Sequence, residues 1–416
     1  MSFPAIRMAA AFLLAASLCT TAVAAAGLSL AEAGQLALHA NPRLAAARAA
    51  LLAARGDARQ AALLHNPELL VTRDNMGNAR LSGFDGPATY WQLSQRLELN
   101  GQHEARREAA RHDADASAAR LTVTEAEVLA EVRTAWIELL AAQRRMQLAE
   151  ELQAGAARTR VGVLAQIQAG KVSPVAADRL AIAEAGLQRR QDLADVTLTT
   201  ARLRLASLLG LRADQAPLAL GEFPPRLPMP ALAQVSRMAE NSPLLREQDA
   251  LTAARASDLE FADASRYPDI TVSVGRRHYE LPGESSWQAG ISLPLPLFNR
   301  NQGARQAAGA RLAEARASAT GARLGLSAEL SGLHAEVNTL LAQLERMEQQ
   351  VLPASTRTSV AIDKGYRYGK FGLLDVLDAQ RNDIDARFDY LDTLSAYYRQ
   401  RNRFDALAGA REELPQ

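Results

Sequence analysis

The feature that most constrains this chain is an internal repeat. Residues 41–44 read Asn-Pro-Arg-Leu and residues 242–245 read Ser-Pro-Leu-Leu, and a second proline pair in 66–68 and 267–269 has the same spacing of 201 residues. Three further pairs follow in the same order: Trp91-Gln92 with Trp287-Gln288, Ala169-Gly170-Lys171 with Tyr368-Gly369-Lys370, and Leu208-Leu209-Gly210 with Leu407-Ala408-Gly409. This order predicts two copies of one structural unit.

The repeat also predicts the domain boundaries. The segment 211–230 contains five prolines, a density that breaks regular helix and marks a linker. We predict a first repeat over 27–210, the linker, a second repeat over 231–410 and a C-terminal tail over 411–416.

Long helices are predicted in each copy, after a shorter helix and two strand-like runs. The first copy opens with a helix over about 42–65, and its segment 102–169 lacks proline, so it can form one helix about 100 Å long at 1.5 Å per residue. A helix of that length needs partner helices. The segment 173–209 supplies part of one, with Ser173 as N-cap and Pro174 at the first helical position, and other helices come from the second copy or from other subunits.

Apolar residues at alternating spacings of four and three predict coiled-coil seams in both copies. The second copy has Leu326, Leu330, Leu333, Val337, Leu340, Leu344, Met347 and Val351. The first copy has a weaker, alanine-rich series: Val128, Val132, Ala135, Leu139, Ala142 and Met146. Small side chains in the first seam let neighbouring helices approach closely.

Four short runs are predicted to form strands: those of the second copy alternate between polar and apolar residues, which is typical of strands with one apolar face, and those of the first copy alternate less cleanly. They cover 68–72 and 90–97 in the first copy, and 269–274 and 287–293 in the second. With its flanks each run has about 9 to 11 residues, the length that a tilted strand needs to cross a membrane.

Trp91 and Trp287 occupy matching places near the start of the second strand of each copy, and we predict that they anchor the membrane interface. Four strands cannot close a barrel alone, because an open edge in lipid leaves backbone groups unpaired. Oligomerisation is therefore required if the strands meet lipid. The alternative is a soluble pair of hairpins packed on the helices.

The N-terminus has the pattern of a secretory signal peptide over 1–24. Arg7 precedes the apolar run 8–19, and Ala22-Val23-Ala24 forms a cleavage site of the A-x-A kind. No later segment offers about 18 uninterrupted apolar residues, so no helical membrane anchor is expected. Cys19, the only cysteine, lies in this leader. Lipidation of Cys19 is an alternative, but Leu18 stands where a lipoprotein signal has a small residue.

Charge and chemistry-bearing residues exclude several classes of protein. A net charge of +1 gives no field that would favour nucleic acid. The six histidines are scattered, with no pair spaced for a shared metal site: His39, His65, His103, His112, His278 and His334. Nucleophile motifs, phosphate-binding glycine loops and zinc-enzyme signatures are also missing. We expect no enzyme, no cofactor and no dedicated metal site.

The combined pattern resembles the TolC-like outer membrane factors, and within them the cobalt-zinc-cadmium efflux branch. Its most specific pieces are 293–303, which leads from the last strand into a long helix, and 369–379. The resemblance implies a mainly α fold with a small β component. It also implies that long coiled-coil helical hairpins of three identical chains form a trimeric α-barrel in the periplasm. By the same resemblance, four strands per chain are expected to contribute to a 12-stranded β-barrel in the outer membrane of a Gram-negative bacterium.

The turns between paired helices match the periplasmic tips of that family. By resemblance they dock a periplasmic adaptor protein that is linked to an inner-membrane, proton-driven pump. The residues concerned are Ala169, Gly170, Lys171, Tyr368, Gly369 and Lys370. The glycines also close helix turns, a role that is compatible with docking.

Asp375 and Asp378 are three residues apart and share one helix face. By resemblance they form the entrance constriction, where three copies give a ring of six carboxylates that favours cations. The residues alone favour an ordinary solvated helix face, and it is the resemblance that favours the constriction. Tyr366 matches a tyrosine that holds the family's entrance shut, whereas the arginine expected next in that latch is replaced by Phe371.

The function implied is passive conduction of substrate, divalent heavy-metal cations, from pump and adaptor to the exterior. One alternative with the same architecture is export of drugs, organic solvents or a secreted polypeptide. Another is a soluble periplasmic coiled-coil scaffold without a pore.

Overall fold

The elements of the chain follow the same order twice. The computed structural model describes residues 27–76 and 83–409, so the predicted leader with Cys19 and the predicted tail lie outside the described residues. The first series is α1 Leu30–Ala40, α2 Pro42–Ala61, β1 Glu68–Asp74, β2 Ala88–Leu97, α3 Gln102–Gln168 and α4 Val175–Leu208. The second series is α5 Leu232–Glu240, α6 Pro243–Ala264, β3 Ile270–Tyr279, β4 Ser285–Ser292, α7 Gln302–Arg346, α8 Leu352–Arg367 and α9 Leu373–Ala408. A π-helical turn, Met347–Val351, lies between α7 and α8.

Contacts divide the described chain into two units. The helical unit contains residues 27–45, 124–242 and 326–409, and the sheet unit contains residues 46–76, 83–123 and 243–325. Within the described residues, no helix is both long enough and apolar enough to cross a bilayer.

Asn41 and Ser242 have the same role in the two copies, which explains why each copy has a polar residue before the proline that opens its second helix. Asn41 Oδ1 accepts the backbone N–H of Arg43 at 2.8 Å and so caps α2, while its Nδ2 donates to Leu208 O at 2.7 Å. Ser242 Oγ donates to Leu407 O at 2.6 Å. In each copy the start of the second helix is therefore tied to the end of the last helix.

The α3 prediction agrees with the structure, since α3 is one helix of 67 residues. Two helix ends differ from the sequence prediction. α2 ends at Ala61 rather than at about His65, because the chain turns there and His65 O accepts the side-chain amide of Gln95 at 2.8 Å. α4 begins at Val175, whose N–H donates to Ser173 Oγ at 3.4 Å.

Both predicted seams are buried in the helical unit. Val128, Val132 and Leu139 are fully buried in α3, as are Leu330, Val337 and Leu344 in α7. The second seam does not continue to its predicted end. Met347, the first residue of the π-helical turn, is half-buried. Val351, its last residue, is 44% exposed, since the extra residue of a π turn rotates the later positions off the seam.

The sheet unit contains one antiparallel sheet in the order β1-β2-β3-β4. The central pair, β2 with β3, joins the two copies, with Leu97 opposite Ile270 and Ala88 opposite Tyr279. β1 and β4 are the outer strands of this sheet, so each pairs on one side only. Four strands among mainly helical elements, over residues 27–76 and 83–409, agree with the predicted fold class.

Candidate functional site

The two helix-hairpin turns of the helical unit have the same backbone. Gly170 has a φ of +69° and Gly369 a φ of +71°, the left-handed conformation that favours glycine. Lys171 N–H bonds to Gln166 O at 2.9 Å, and Lys370 N–H bonds to Gly365 O at 2.8 Å. Both are Schellman turns, in which the residue after the glycine reaches back five positions. The predicted tip residues are all exposed, Tyr368 to 72%.

Tyr366 joins the two turns. Its hydroxyl donates to Gln166 Oε1 at 2.8 Å, across 200 residues of sequence, and burial raises the pKa of Tyr366 above its ordinary value. A small apolar cluster lies beside this bond, in which Leu373 and Leu377 of α9 pack on Val163 and Leu180. The structure therefore brings a predicted latch residue into contact with the other hairpin of its own chain.

Phe371 has a local role in the second turn. Its ring lies directly on Gly365, where any added Cβ would overlap the ring carbons. Gly365 is accordingly buried, while Phe371 keeps 44% of its surface exposed. The departure from the family latch thus places an aromatic ring against its own helix end in this chain.

Asp375 and Asp378 are both exposed on the first turns of α9. Asp375 Oδ2 accepts the N–H of Gly372 at 2.8 Å, so this carboxylate caps its own helix and lies where the helix dipole favours negative charge. Asp378 lines a groove between α4 and α9, together with Arg179, Arg190 and Arg381. Among the residues that the structure describes, Asp375 is therefore the predicted constriction carboxylate with a hydrogen-bonded role.

The strand register divides the sheet into two faces, because cross-strand partners point to the same side. On one face, successive rows are Leu97 and Ile270; Gln95, Val272 and Ile291; Leu69, Leu93, Val274 and Ala289; and Val71, Trp91, Arg276 and Trp287. The opposite face is mainly polar, with Asp74, Gln92, Ser94, Arg96, Thr271, Ser273, Arg277, Ser286, Gln288 and Ser292. We call these the apolar face and the polar face.

The predicted interface anchors, Trp91 and Trp287, fall in the same row of the apolar face. Trp91 lies opposite Arg276, and Arg276 lies opposite Trp287. Trp287 is 74% exposed. Sequence reasoning missed Arg276, although the even-numbered alternation of Ile270, Val272 and Val274 in β3 continues to it.

His65 and His103 come together in the sheet unit, which their sequence spacing did not indicate. Their ring nitrogens lie 3.5 and 3.4 Å from the two carboxylate oxygens of Glu98. Arg106 binds the same carboxylate at 2.8 Å and thereby neutralises it. Among the residues that the structure describes, no group of three or more His, Cys, Asp or Glu side chains could hold a metal ion.

Comparison with known proteins decides the family. The model of the outer membrane efflux protein family matches residues 33–211 and 235–410. This chain belongs to the outer membrane efflux proteins. The cobalt-zinc-cadmium resistance protein of Cupriavidus metallidurans is 31% identical over 389 residues, which are 93% of this chain and 91% of the relative. The nickel-cobalt-cadmium resistance protein of Alcaligenes xylosoxydans xylosoxydans is 27% identical over 71% of this chain and 67% of the relative.

Solved channels share the fold of this efflux protein. The outer-membrane channel OprN has a TM-score of 0.77 at 20% identity, covering 91% of this chain and 89% of that channel. CusC has a TM-score of 0.74 at 19% identity, with 91% of each chain covered. The resemblance to the TolC-like factors and their heavy-metal branch, the fold class, the efflux function and the outer-membrane location with a periplasmic helical extension are confirmed. The family and its solved relatives are channel proteins.

Proposed function

We propose that this efflux protein is the homotrimeric channel of a tripartite system that conducts divalent heavy-metal cations passively to the exterior. A proton-driven pump of the inner membrane and a periplasmic adaptor deliver the cations. The chain performs no catalysis of its own and exports its cargo without a resident metal site.

The sheet is the observation that carries the trimeric channel. Its outer strands, β1 and β4, each have one edge that pairs with no other described strand, and an unpaired edge in lipid costs several kcal/mol for each unsatisfied group. Pairing the β4 edge of one copy with the β1 edge of the next removes every such edge once the ring closes. Three copies give twelve strands, with the apolar faces towards lipid and the polar faces towards the lumen.

The chain that follows β4 supports the membrane placement. From the row of Trp91 to the row of Leu97 the apolar face runs about 20 Å along the strand, or about 15 Å along the membrane normal after tilting, less than the band of about 25 Å typical of outer-membrane barrels. Leu293, Leu295 and Leu297 continue the odd-numbered alternation beyond the sheet, and Phe298 is 91% exposed. These exposed apolar side chains extend the apolar face and can supply the remainder of the apolar band.

The metal assignment rests on the named relatives, which are resistance proteins for cobalt, zinc, cadmium and nickel. Asp375 and Asp378 are exposed near the second turn, so a trimer axis beside α9 would bring six carboxylates together. Rings of carboxylates favour cations in pores. We assign these residues and Tyr366 to the pore constriction.

The two Schellman turns are assigned to adaptor docking. Gly170, Lys171, Gly369 and Lys370 are exposed, and their backbones are copies of one another. Three chains would therefore present six similar turns in a ring, a surface that one kind of adaptor contact can recognise repeatedly.

Conductance of the purified protein tests the channel. In planar bilayers we expect a cation-preferring pore, and Asp375→Asn with Asp378→Asn lowers that preference, while Asp389→Asn, an exposed carboxylate further along α9, leaves it unchanged. An amide at 375 can still cap the helix, so the double variant should fold. Equal selectivity in all variants would refute the acidic constriction. A monomer that never enters detergent micelles would support the scaffold.

Growth of a deletion strain tests the cargo. We expect lower tolerance to cobalt, zinc or cadmium, restored by the intact gene. If metal tolerance is unchanged while sensitivity to organic compounds rises, export of drugs or solvents replaces the metal assignment.

A further inference from the structure

The apolar face carries one arginine that the conduction of cations does not use. Arg276 is exposed, and the register places it between Trp91 and Trp287. Its Nη2 donates to Ser285 Oγ at 3.3 Å, and it forms no ion pair with the side chains of the described residues. An unpaired guanidinium on a face made for lipid needs a partner of opposite charge.

The next row of the same face, towards the β1–β2 and β3–β4 turns, is polar. It contains Arg73, Thr89, His278 and Ser285. His278 Nδ1 lies 3.1 Å from Ser285 Oγ, whereas Arg73 is already paired with Glu280 at 2.7 Å. Arg276, His278 and Ser285 therefore form one group of polar side chains directly above the apolar rows.

The depth of this group follows from the cost of charge in lipid. An arginine on the lipid face of a barrel costs about 2–4 kcal/mol at the midplane and about 0–1 kcal/mol near the interface, and tryptophan prefers the interface. The row of Arg276 thus marks an interface. β2 leads into α3 from its other end, at Leu97, and the helical extension is periplasmic, so this interface is the outer one.

The outer leaflet of a Gram-negative outer membrane consists of lipopolysaccharide, a glycolipid whose lipid A sugars carry phosphate groups. Arginine binds phosphate through parallel N–H donors, and hydrogen bonds of this charge-assisted kind are roughly twice as strong as neutral ones. The adjacent indole rings suit the boundary between acyl chains and sugar.

We propose that Arg276, assisted by Ser285 and His278, binds a phosphate group of lipopolysaccharide between Trp91 and Trp287. A second copy of the chain is expected at the strand edges and the adaptor in the periplasm, so neither occupies this face. The proposal rests on insertion of the sheet into the outer membrane as described above.

Titration of the trimer in detergent with defined lipids tests the proposal, with native mass spectrometry counting the bound molecules. The probes are diphosphorylated lipid A, dephosphorylated lipid A and phosphatidylglycerol. We expect saturable binding of diphosphorylated lipid A, weakened about tenfold by Arg276→Gln and less by Arg276→Lys. The matched control is Arg277→Gln, which removes the same side chain one residue away on the polar face.

Three results would overturn the proposal. The first is that Arg276→Gln and Arg277→Gln weaken the binding of diphosphorylated lipid A equally. The others are that dephosphorylated lipid A, or phosphatidylglycerol, binds as tightly as diphosphorylated lipid A. Strand content from circular dichroism shows whether each variant is folded. Bilayer conductance separates the two hypotheses. Conducting trimers with unchanged lipid A binding in Arg276→Gln would refute the lipid site alone, whereas a chain that never inserts would refute the channel.

Discussion

The first hairpin, α3–α4, and the second hairpin, α7–α9, end at equivalent turns but are built differently along their length. α3 is one helix of 67 residues, whereas the second hairpin is interrupted by the π-helical turn Met347–Val351 and by Pro353 just beyond it. Proline has no N–H to continue the helical ladder, and Leu352 N–H bonds to Met347 O with π spacing. The second hairpin therefore contains an interruption that α3 does not have. We call this segment, residues 347–353, the joint.

Polar side chains hold this joint together. Arg226 Nη2 donates to both carboxylate oxygens of Glu348 at 2.8 Å, and Tyr390 OH donates to Glu348 at 2.7 Å. Further along, the buried carboxylate of Asp383 accepts the hydroxyls of Ser355 and Thr356 at 2.7 and 2.9 Å. The polar pairs between α3 and α4 of the first hairpin are exposed, such as Arg204 with Glu138 at 2.7 Å and Gln153 with Gln188 at 2.6 Å. The repeat thus preserves the turn and the seam, and the joint belongs to one copy.

Removing a seam leucine from each hairpin gives the largest expected effect and tests whether the two seams are equivalent. Leu139→Ala and Leu330→Ala should each lower the free energy of unfolding by about 3–5 kcal/mol, because both side chains are fully buried. The measurement is thermal or chemical unfolding in detergent, followed by circular dichroism. Leu139→Met and Leu330→Met are the controls, with losses below about 1.5 kcal/mol. A large difference between the two alanine variants would contradict equivalence.

Asp383→Ala sharpens the difference between the hairpins. We expect a loss of about 2–3 kcal/mol, because two hydroxyls and the guanidinium of Arg387 lose a buried charged acceptor. Glu184 lies equally far from its turn glycine in the first hairpin, and within the described part of the chain its ion-pair partner is Arg160, at 3.5 Å. Glu184→Ala should cost less than about 1 kcal/mol. Equal losses in the same unfolding assay would argue against a polar joint specific to the second hairpin.

The turn glycines test the part that the two hairpins share. Gly170→Ala and Gly369→Ala should each cost about 1–2 kcal/mol, because both glycines have positive φ. Gly162→Ala, within α3 and without a neighbouring atom within 4 Å of the added Cβ, should instead stabilise by about 0.5–1 kcal/mol. The melting temperatures should therefore shift in opposite directions. Unequal shifts for the two turn variants would show that the turns differ in energy despite equal geometry.

Alkaline pH gives the smallest expected effect and addresses the joint alone. Burial and the bond to Glu348 raise the pKa of Tyr390 to about 12 from 10. The folded protein therefore keeps this proton longer than the unfolded chain does, and its stability falls as pH rises from about 10 to 12. Tyr390→Phe should flatten this decline in melting temperature, whereas Tyr368→Phe at the exposed turn should not. Identical pH profiles for the two variants would contradict the contribution of Tyr390.

The π-helical turn shows where sequence patterns stop being sufficient. Met347 and Val351 continue the spacing of the seam, so the pattern predicts that they are buried. In the structure Met347 is half-buried and Val351 is 44% exposed, and Glu348 within the π-helical turn bonds to Arg226 and Tyr390. The proline was visible in the sequence, but the partners of Glu348 lie 122 and 42 residues away.

The candidate site also contains features that the sequence could predict and features that it could not. The turn glycines could be predicted because their positive φ is a local requirement of the backbone. The bond from Tyr366 to Gln166 could not, since it depends on how two hairpins align across 200 residues. The roles of Asp375 and Asp378 in a constriction and of the turns in docking stay predictions.

The sequence by itself determined the repeat, the long helices, the turns between them and the presence of four strands. These features depend on proline, glycine and the period of apolar residues, which act on neighbouring backbone. Only the tertiary structure decided the strand register that places Arg276 between Trp91 and Trp287, and the polar joint of the second hairpin. Such pairings are set by the balance of packing and hydrogen bonds among distant segments, and that balance exists only once the chain has folded.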